Sequence, residues 1–148
     1  MTKQERINVI YKKIQRLAWA RSFLVLVMLF CVFSIKRNDW YIVGVVSSLL
    51  LISAVLSHES RFMKNLTREH KAKQIITKQY IYDFAVILFI VLTYLLTGQL
   101  GVTWLLPVLV IGVVLANNQI QRKLDNRLTR EDPEHPIRRD IKLSNVKD

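Results

Sequence analysis

Residues 58–79 read HESRFMKNLTREHKAKQIITKQ, with six Lys or Arg against two Glu. This stretch lies between two pairs of long apolar runs. A segment this basic resists transfer across a bilayer, because Lys and Arg near the ends of spans fix orientation by staying on the cytoplasmic side. Holding it inside sets the direction of every other segment.

The apolar runs define the class. The chain has 148 residues, is 51% apolar and has a mean hydropathy of +0.23. Four separated apolar stretches at that composition describe a membrane protein rather than an aqueous core. The first span covers about Leu17 to Ile35, interrupted only by Arg21; at about 1.5 Å per residue it crosses roughly 30 Å of hydrocarbon. The short link Lys36 to Asp39 leads straight back into a second span, Trp40 to Ser57, whose Trp40 and Tyr41 suit an interfacial aromatic belt. The third span runs from Tyr80 to Thr97, with Asp83 just inside its inner end. After the uncharged turn Gly98 to Thr103, the fourth is apolar only from Trp104 to Ala116 and borrows its flanks to cover 102–118. Pro107 falls in its first turns, where a missing amide donor costs least.

Of the 22 Lys and Arg, six lie in Met1 to Ser22, two in the first link, six in the central loop, none in the second link and eight beyond Asn117. That alternation predicts a multi-pass protein of the cell membrane with both termini and the central loop in the cytoplasm. It also accounts for the net charge of +11 without direct nucleic-acid binding. The expected fold is all-α: an antiparallel four-transmembrane-helix bundle with an N-terminal amphipathic helix and a cytoplasmic helical extension. Within it the second span is expected to pack best. Gly44 with Ser48, and Ser53 with Ser57, are small pairs four apart that let helix backbones approach closely in lipid. Self-association is left open.

The flanks divide as residues 1–16, the four-span unit 17–118 with its loop 58–79, and residues 119–148. In the first, Ile7, Ile10 and Ile14 recur at helical spacing among Lys3, Arg6, Lys12, Lys13 and Arg16. Such a basic amphipathic helix suits an anionic inner leaflet, at about 1 kcal/mol of attraction per nearby cation. The apolar core behind it is too long for a cleavable signal. Beyond Asn117, Ile120, Leu124 and Leu128 continue a helix among Arg122, Lys123, Arg127 and Arg130, expected to end before Pro133. The remainder, EDPEHPIRRDIKLSNVKD, reads as an extended or flexible tail.

Catalytic signatures are missing: no GxxxxGK[ST], HExxH, GxSxG or paired cysteines. Cys31 stands alone inside the first span, and His58, His70 and His135 lack metal-ligand spacing. No enzyme activity, cofactor or metal is expected. The one site-like constellation is Arg21 with Asp83, each a few residues past the inner boundary on spans that run in the same direction. Pairing them would offset part of the penalty of holding ions in hydrocarbon; the plain alternative is that each snorkels to the headgroups.

Three segments outside the spans carry a resemblance: KQERINVIYKKIQRL at 3–17, SRFMKNLTREHKAK at 60–73 and RKLDNRLTREDPEHPIRRD at 122–140. In layout the chain resembles the small polytopic membrane inhibitors of LytTR regulatory systems. The resemblance implies a membrane-anchored protein that binds and sequesters a cytoplasmic LytTR-type transcription activator, acting as an anti-activator. The docking surface would then be these segments. Its apolar anchors would be Ile7, Ile10, Ile14, Phe62, Met63, Leu66, Leu124 and Leu128, ringed by Arg68, Arg122 and Arg127. Bacteriocin self-immunity proteins share the small, basic, polytopic layout and form the alternative. Small multidrug transporters share only the number of spans, since the first span here offers Arg21 where an acid is expected.

Overall fold

The computed structural model describes residues 3–101, 104–137 and 140, and among them it contains helices and turns but no strand. Four helices follow one another: α1 (Lys3–Ser34), α2 (Tyr41–Asn65), α3 (His70–Leu100) and α4 (Leu105–Glu131). Each is long and apolar enough to cross a membrane, α4 being the least apolar.

The helices overrun the hydrocarbon. α1 has 32 residues and α3 has 31, roughly 45 to 50 Å at 1.5 Å per residue against a core of about 30 Å. The excess lies at one end, which carries the start of α1, the α2–α3 link and the end of α4; it is called here the basic end. Two expected boundaries change accordingly. The loop at 58–79 shrinks to residues 66–69, because α2 continues to Asn65 and α3 begins at His70. No Gly or Pro interrupts 58–79, and Met63, Ala72 and Ile76 there have a core to enter. Likewise, residues 3–16 are not a separate helix: α1 passes unbroken through 16 and 17, leaving no bend at which the segment could turn into an interface.

Neighbouring helices meet in opposite senses. Along α1 and α2, Phe30 meets Tyr41 edge-on at 6.3 Å, Arg21 meets Glu59, and Lys13 lies 4.3 Å from the centre of the Phe62 ring. Along α3 and α4, Asp83 meets Gln121, Gln79 meets Asp125 and Lys71 meets Glu131. α2 also packs on α3, and Phe33 of α1 meets Tyr94 of α3 at 4.7 Å.

Two apolar cores result. The first, in the membrane half, gathers Met28, Cys31 and Val32 of α1, Val45, Ile52 and Leu56 of α2, and Val91 of α3. The second, at the basic end, gathers Ile10, Met63, Ala72, Ile76 and Leu128, so all four helices contribute. Around the first core, Phe23, Phe30, Leu50, Leu96 and Ile111 are exposed. A soluble monomer rarely tolerates so large an apolar surface, whereas lipid tails accept it.

Two turns complete the frame. α3 does not stop at Gly98; it runs on to Leu100 and ends at Gly101, whose φ of 70° lets its amide donate to the Thr97 carbonyl. Glycine reaches that left-handed conformation without a Cβ clash. After α4, the amides of Asp132 and His135 donate to the Leu128 and Asp132 carbonyls. Pro136 is buried and Ile137 packs on the second core. The tail expected to be extended therefore folds back as far as Ile137, and its remaining residues, Asp140 apart, lie outside those described.

Candidate functional site

Between the two cores lies a layer of polar side chains. Arg21 of α1 donates to Glu59 of α2 at 3.3 Å; the Glu59 side chain is 3% exposed and that of Arg21 33%. Across the molecule, the Gln79 side-chain amide donates to Asp125 at 2.8 Å. That of Gln121 donates both to the Gln79 carbonyl at 3.1 Å and to Asp83 at 3.2 Å. A cavity of about 190 Å³ opens beside them, lined by Arg21, Glu59, Gln79, Tyr80 and Asp125 with apolar neighbours from the second core.

The helical period builds this layer. On α3, Gln79 and Asp83 stand four apart, as do Gln121 and Asp125 on α4, so each pair occupies one face. Packing the two faces together makes every amide a donor to a partner carboxylate or carbonyl. Buried carboxylates are retained where such donors reach them, since stranding one costs far more than an ordinary hydrogen bond returns. Arg21 therefore meets Glu59, the acid that α2 brings beside α1, while α4 brings Gln121 to Asp83.

Farther along the basic end, Asp132 accepts from the Thr67 hydroxyl and lies 3.7 Å from Arg6. His135, 1% exposed, has neither ring nitrogen hydrogen-bonded among the described residues. Burial lowers its pKa from the usual 6.5; the Asp132 carboxylate opposes that shift and Arg6 adds to it.

The residues expected to form a docking surface divide. Ile7, Ile10, Met63, Leu124 and Leu128 are buried, and Ile14, Phe62 and Leu66 pack against the second core. The first five face the chain's own interior and the other three are half-covered by it, because the basic stretches are helices that meet one another instead of loops offered to solvent. Arg68, Arg122 and Arg127 are exposed. Of the small residues, Gly44 lies against Cys31, where a Cβ would fall 2.7 Å from Sγ, and Ser48 is buried. Ser53 is half-buried and Ser57 exposed.

Sequence reasoning passed over Glu59, Gln79, Gln121 and Asp125, and it weighed His135 only as a metal ligand against a solvated surface side chain, whereas the fold buries it. The two amide and acid pairs at four-residue spacing were a usable signal. Glu59 was hidden by its position two residues past an expected span end, in a stretch that reads as loop.

Among the described residues no three His, Cys, Asp or Glu are grouped to hold a metal. No protein-family model, curated protein or solved structure matches the chain.

Proposed function

We propose that this chain is a membrane anchor whose helical head holds a soluble regulatory protein at the inner face of the cell membrane. In this reading the four helices form an antiparallel bundle with both termini and the basic end in the cytoplasm, as the distribution of Lys and Arg favours. A LytTR-type activator is the partner that the architectural resemblance suggests. Held at the membrane, it would be kept from DNA by mass action alone, and each 1.4 kcal/mol lost from the complex would release it about tenfold.

The observation that carries the reading is a basic groove between α3 and α4. It encloses about 340 Å³ and is lined by Lys71, Lys78, Arg127 and Arg130. Lys71 has a distant partner, Glu131 at 3.9 Å, whereas Lys78, Arg127 and Arg130 have no acid partner among the described residues. Lys71 stands nine residues before Tyr80, roughly 14 Å beyond the expected span at 1.5 Å per residue. That is past the headgroup layer, which adds only about 5 to 8 Å per side. By the same reckoning Lys78 lies only about 3 Å beyond the span, at headgroup height, whereas Arg127, nine residues past the expected span end at 118, and Arg130 rise beyond that layer. Two arginines there, unpaired among the described residues, suit an acidic segment of a soluble protein better than a lipid.

The variant Lys78→Glu, Arg127→Glu, Arg130→Glu tests this without touching the core. Its expected outcome is normal insertion, loss of the co-purifying activator and loss of repression of activator-dependent transcription. Unchanged partner recovery and unchanged repression would overturn the proposal.

A further inference from the structure

A second groove runs between α2 and α3 on a different face, enclosing about 280 Å³. Its mouth is formed by Arg61 and Lys64, one helical turn apart on α2, with the hydroxyls of Ser57, Ser60 and Thr77 beside them. Neither cation makes an ion pair or hydrogen bond among the described residues, and no acid lines the groove. The acid next to Ser60, Glu59, faces the other way, onto Arg21 of α1. Towards the membrane half the walls become Leu56, Ile81 and Phe84, with Ile81 61% exposed at the lateral opening.

This gradient has one chemistry at each end. Arg61 lies four residues past Ser57, about 6 Å along the axis, and so stands at headgroup height; Ser53, on the same stripe, lies about 12 Å deeper than Arg61, in hydrocarbon. Two free cations and the hydroxyls of Ser57 and Ser60 supply donors for a phosphodiester, the Thr77 hydroxyl being already donated to the Lys73 carbonyl at 2.9 Å; cations bind phosphate through charge-assisted hydrogen bonds. The apolar walls below would receive the first methylenes of acyl chains. A soluble anion would use the mouth and leave the apolar, laterally open floor without an occupant. Basic recesses between transmembrane helices at the cytoplasmic surface are the usual place for anionic headgroups.

We infer that the α2–α3 groove is a binding site for one anionic glycerophospholipid of the adjoining leaflet, with Arg61 and Lys64 holding its phosphate. The site is separate from the α3–α4 groove and does not depend on which protein docks there.

The experiment is native mass spectrometry of the full chain in detergent, titrated with phosphatidylglycerol or phosphatidylcholine, with inorganic phosphate and glycerol phosphate as competitors. The expected result is one tightly held phosphatidylglycerol, preferred about tenfold over phosphatidylcholine and not displaced by either competitor. Arg61→Gln with Lys64→Gln should erase that preference and leave phosphatidylcholine binding unchanged, whereas Lys78→Gln with Arg127→Gln should preserve it. Equal loss in both variants would reduce the effect to diffuse charge. Displacement by inorganic phosphate would make the site one for a soluble anion. Either result overturns the inference, as does equal binding of the two lipids by the unsubstituted chain.

Discussion

The two halves of α4 are treated in opposite ways by the same fold. From Leu105 to Asn117 it buries no residue, leaving Val108, Ile111, Val114 and Leu115 exposed. From Gln121 to Leu128 it buries Gln121, Leu124, Asp125 and Leu128 on one face. In lipid an apolar side chain gains little by turning inward, since the tails are as apolar as any core; in water the same burial drives folding. The contrast gives the basic end a core to which all four helices contribute, whereas the apolar half of α4 leaves its side chains on the outside, as a lipid-facing helix would.

That comparison breaks first at Leu128. Leu128→Ala removes a side chain 1% exposed within the second core, and such truncations lose about 2 to 5 kcal/mol. Val114→Ala, on the membrane half of the same helix, should shift stability by less than about 0.5 kcal/mol. Thermal unfolding of both variants in detergent measures the difference. Equal shifts would mean that the basic end has no core of its own.

The next effect is at the layer between the halves, where the partners are unequally exposed. Arg21→Gln removes the guanidinium from a carboxylate that is 3% exposed, and breaking a buried pair from that side costs about 3 kcal/mol. Glu59→Gln leaves a guanidinium that is 33% exposed and able to reach solvent or headgroups, so about 1 kcal/mol is expected. Denaturation midpoints in the reverse order would place the buried charge on the arginine.

This layer also marks where reading the sequence stopped working. Four apolar helices and the basic character of one end were legible, because hydropathy and the distribution of Lys and Arg are local properties. Arg21 and Asp83 stood out for the same reason, as charges inside apolar runs. Their partners did not, since Glu59 and Gln121 lie in stretches whose polarity looks ordinary until another helix is laid beside them. The apolar anchors Ile10 and Leu128 stood at helical spacing and Met63 in what reads as a basic loop, but neither pattern indicates whether a partner or the chain itself covers them.

A smaller effect sharpens the packing contrast through two glycines. At Gly44 an added Cβ would meet Cys31 Sγ at 2.7 Å, while at Gly112 nothing lies within 4 Å. Gly44→Ala should therefore destabilise by about 1 to 2 kcal/mol through overpacking, relieved when Cys31→Ala is combined with it. Gly112→Ala should be neutral or stabilise by up to about 1 kcal/mol, as alanine is the better helix former. Opposite signs in detergent melts are the expected outcome; a stabilised Gly44→Ala would refute the close approach of α1 and α2.

The last effect separates the halves by pH, because His135 belongs to the head alone. Buried without a partner for either ring nitrogen among the described residues, it is held neutral with its pKa below 6.5. Above that value both folded and unfolded chains carry neutral imidazole, and His135 makes no pH-dependent contribution. As pH falls through 6.5 the unfolded chain takes up a proton that the folded chain still refuses, so stability declines until the lowered folded value is passed. For one group the slope cannot exceed roughly 1.4 kcal/mol per pH unit. The charges that set the shift are Asp132 and Arg6, and protonation would place a second cation beside the Arg6 guanidinium in a site closed to water. Melting temperatures measured from pH 7.5 to pH 5 should fall more steeply for the unsubstituted chain than for His135→Gln, the two curves running parallel above pH 7. Parallel curves over the whole range would show that the imidazole escapes to solvent and that the segment from Asp132 to Ile137 does not close over the head.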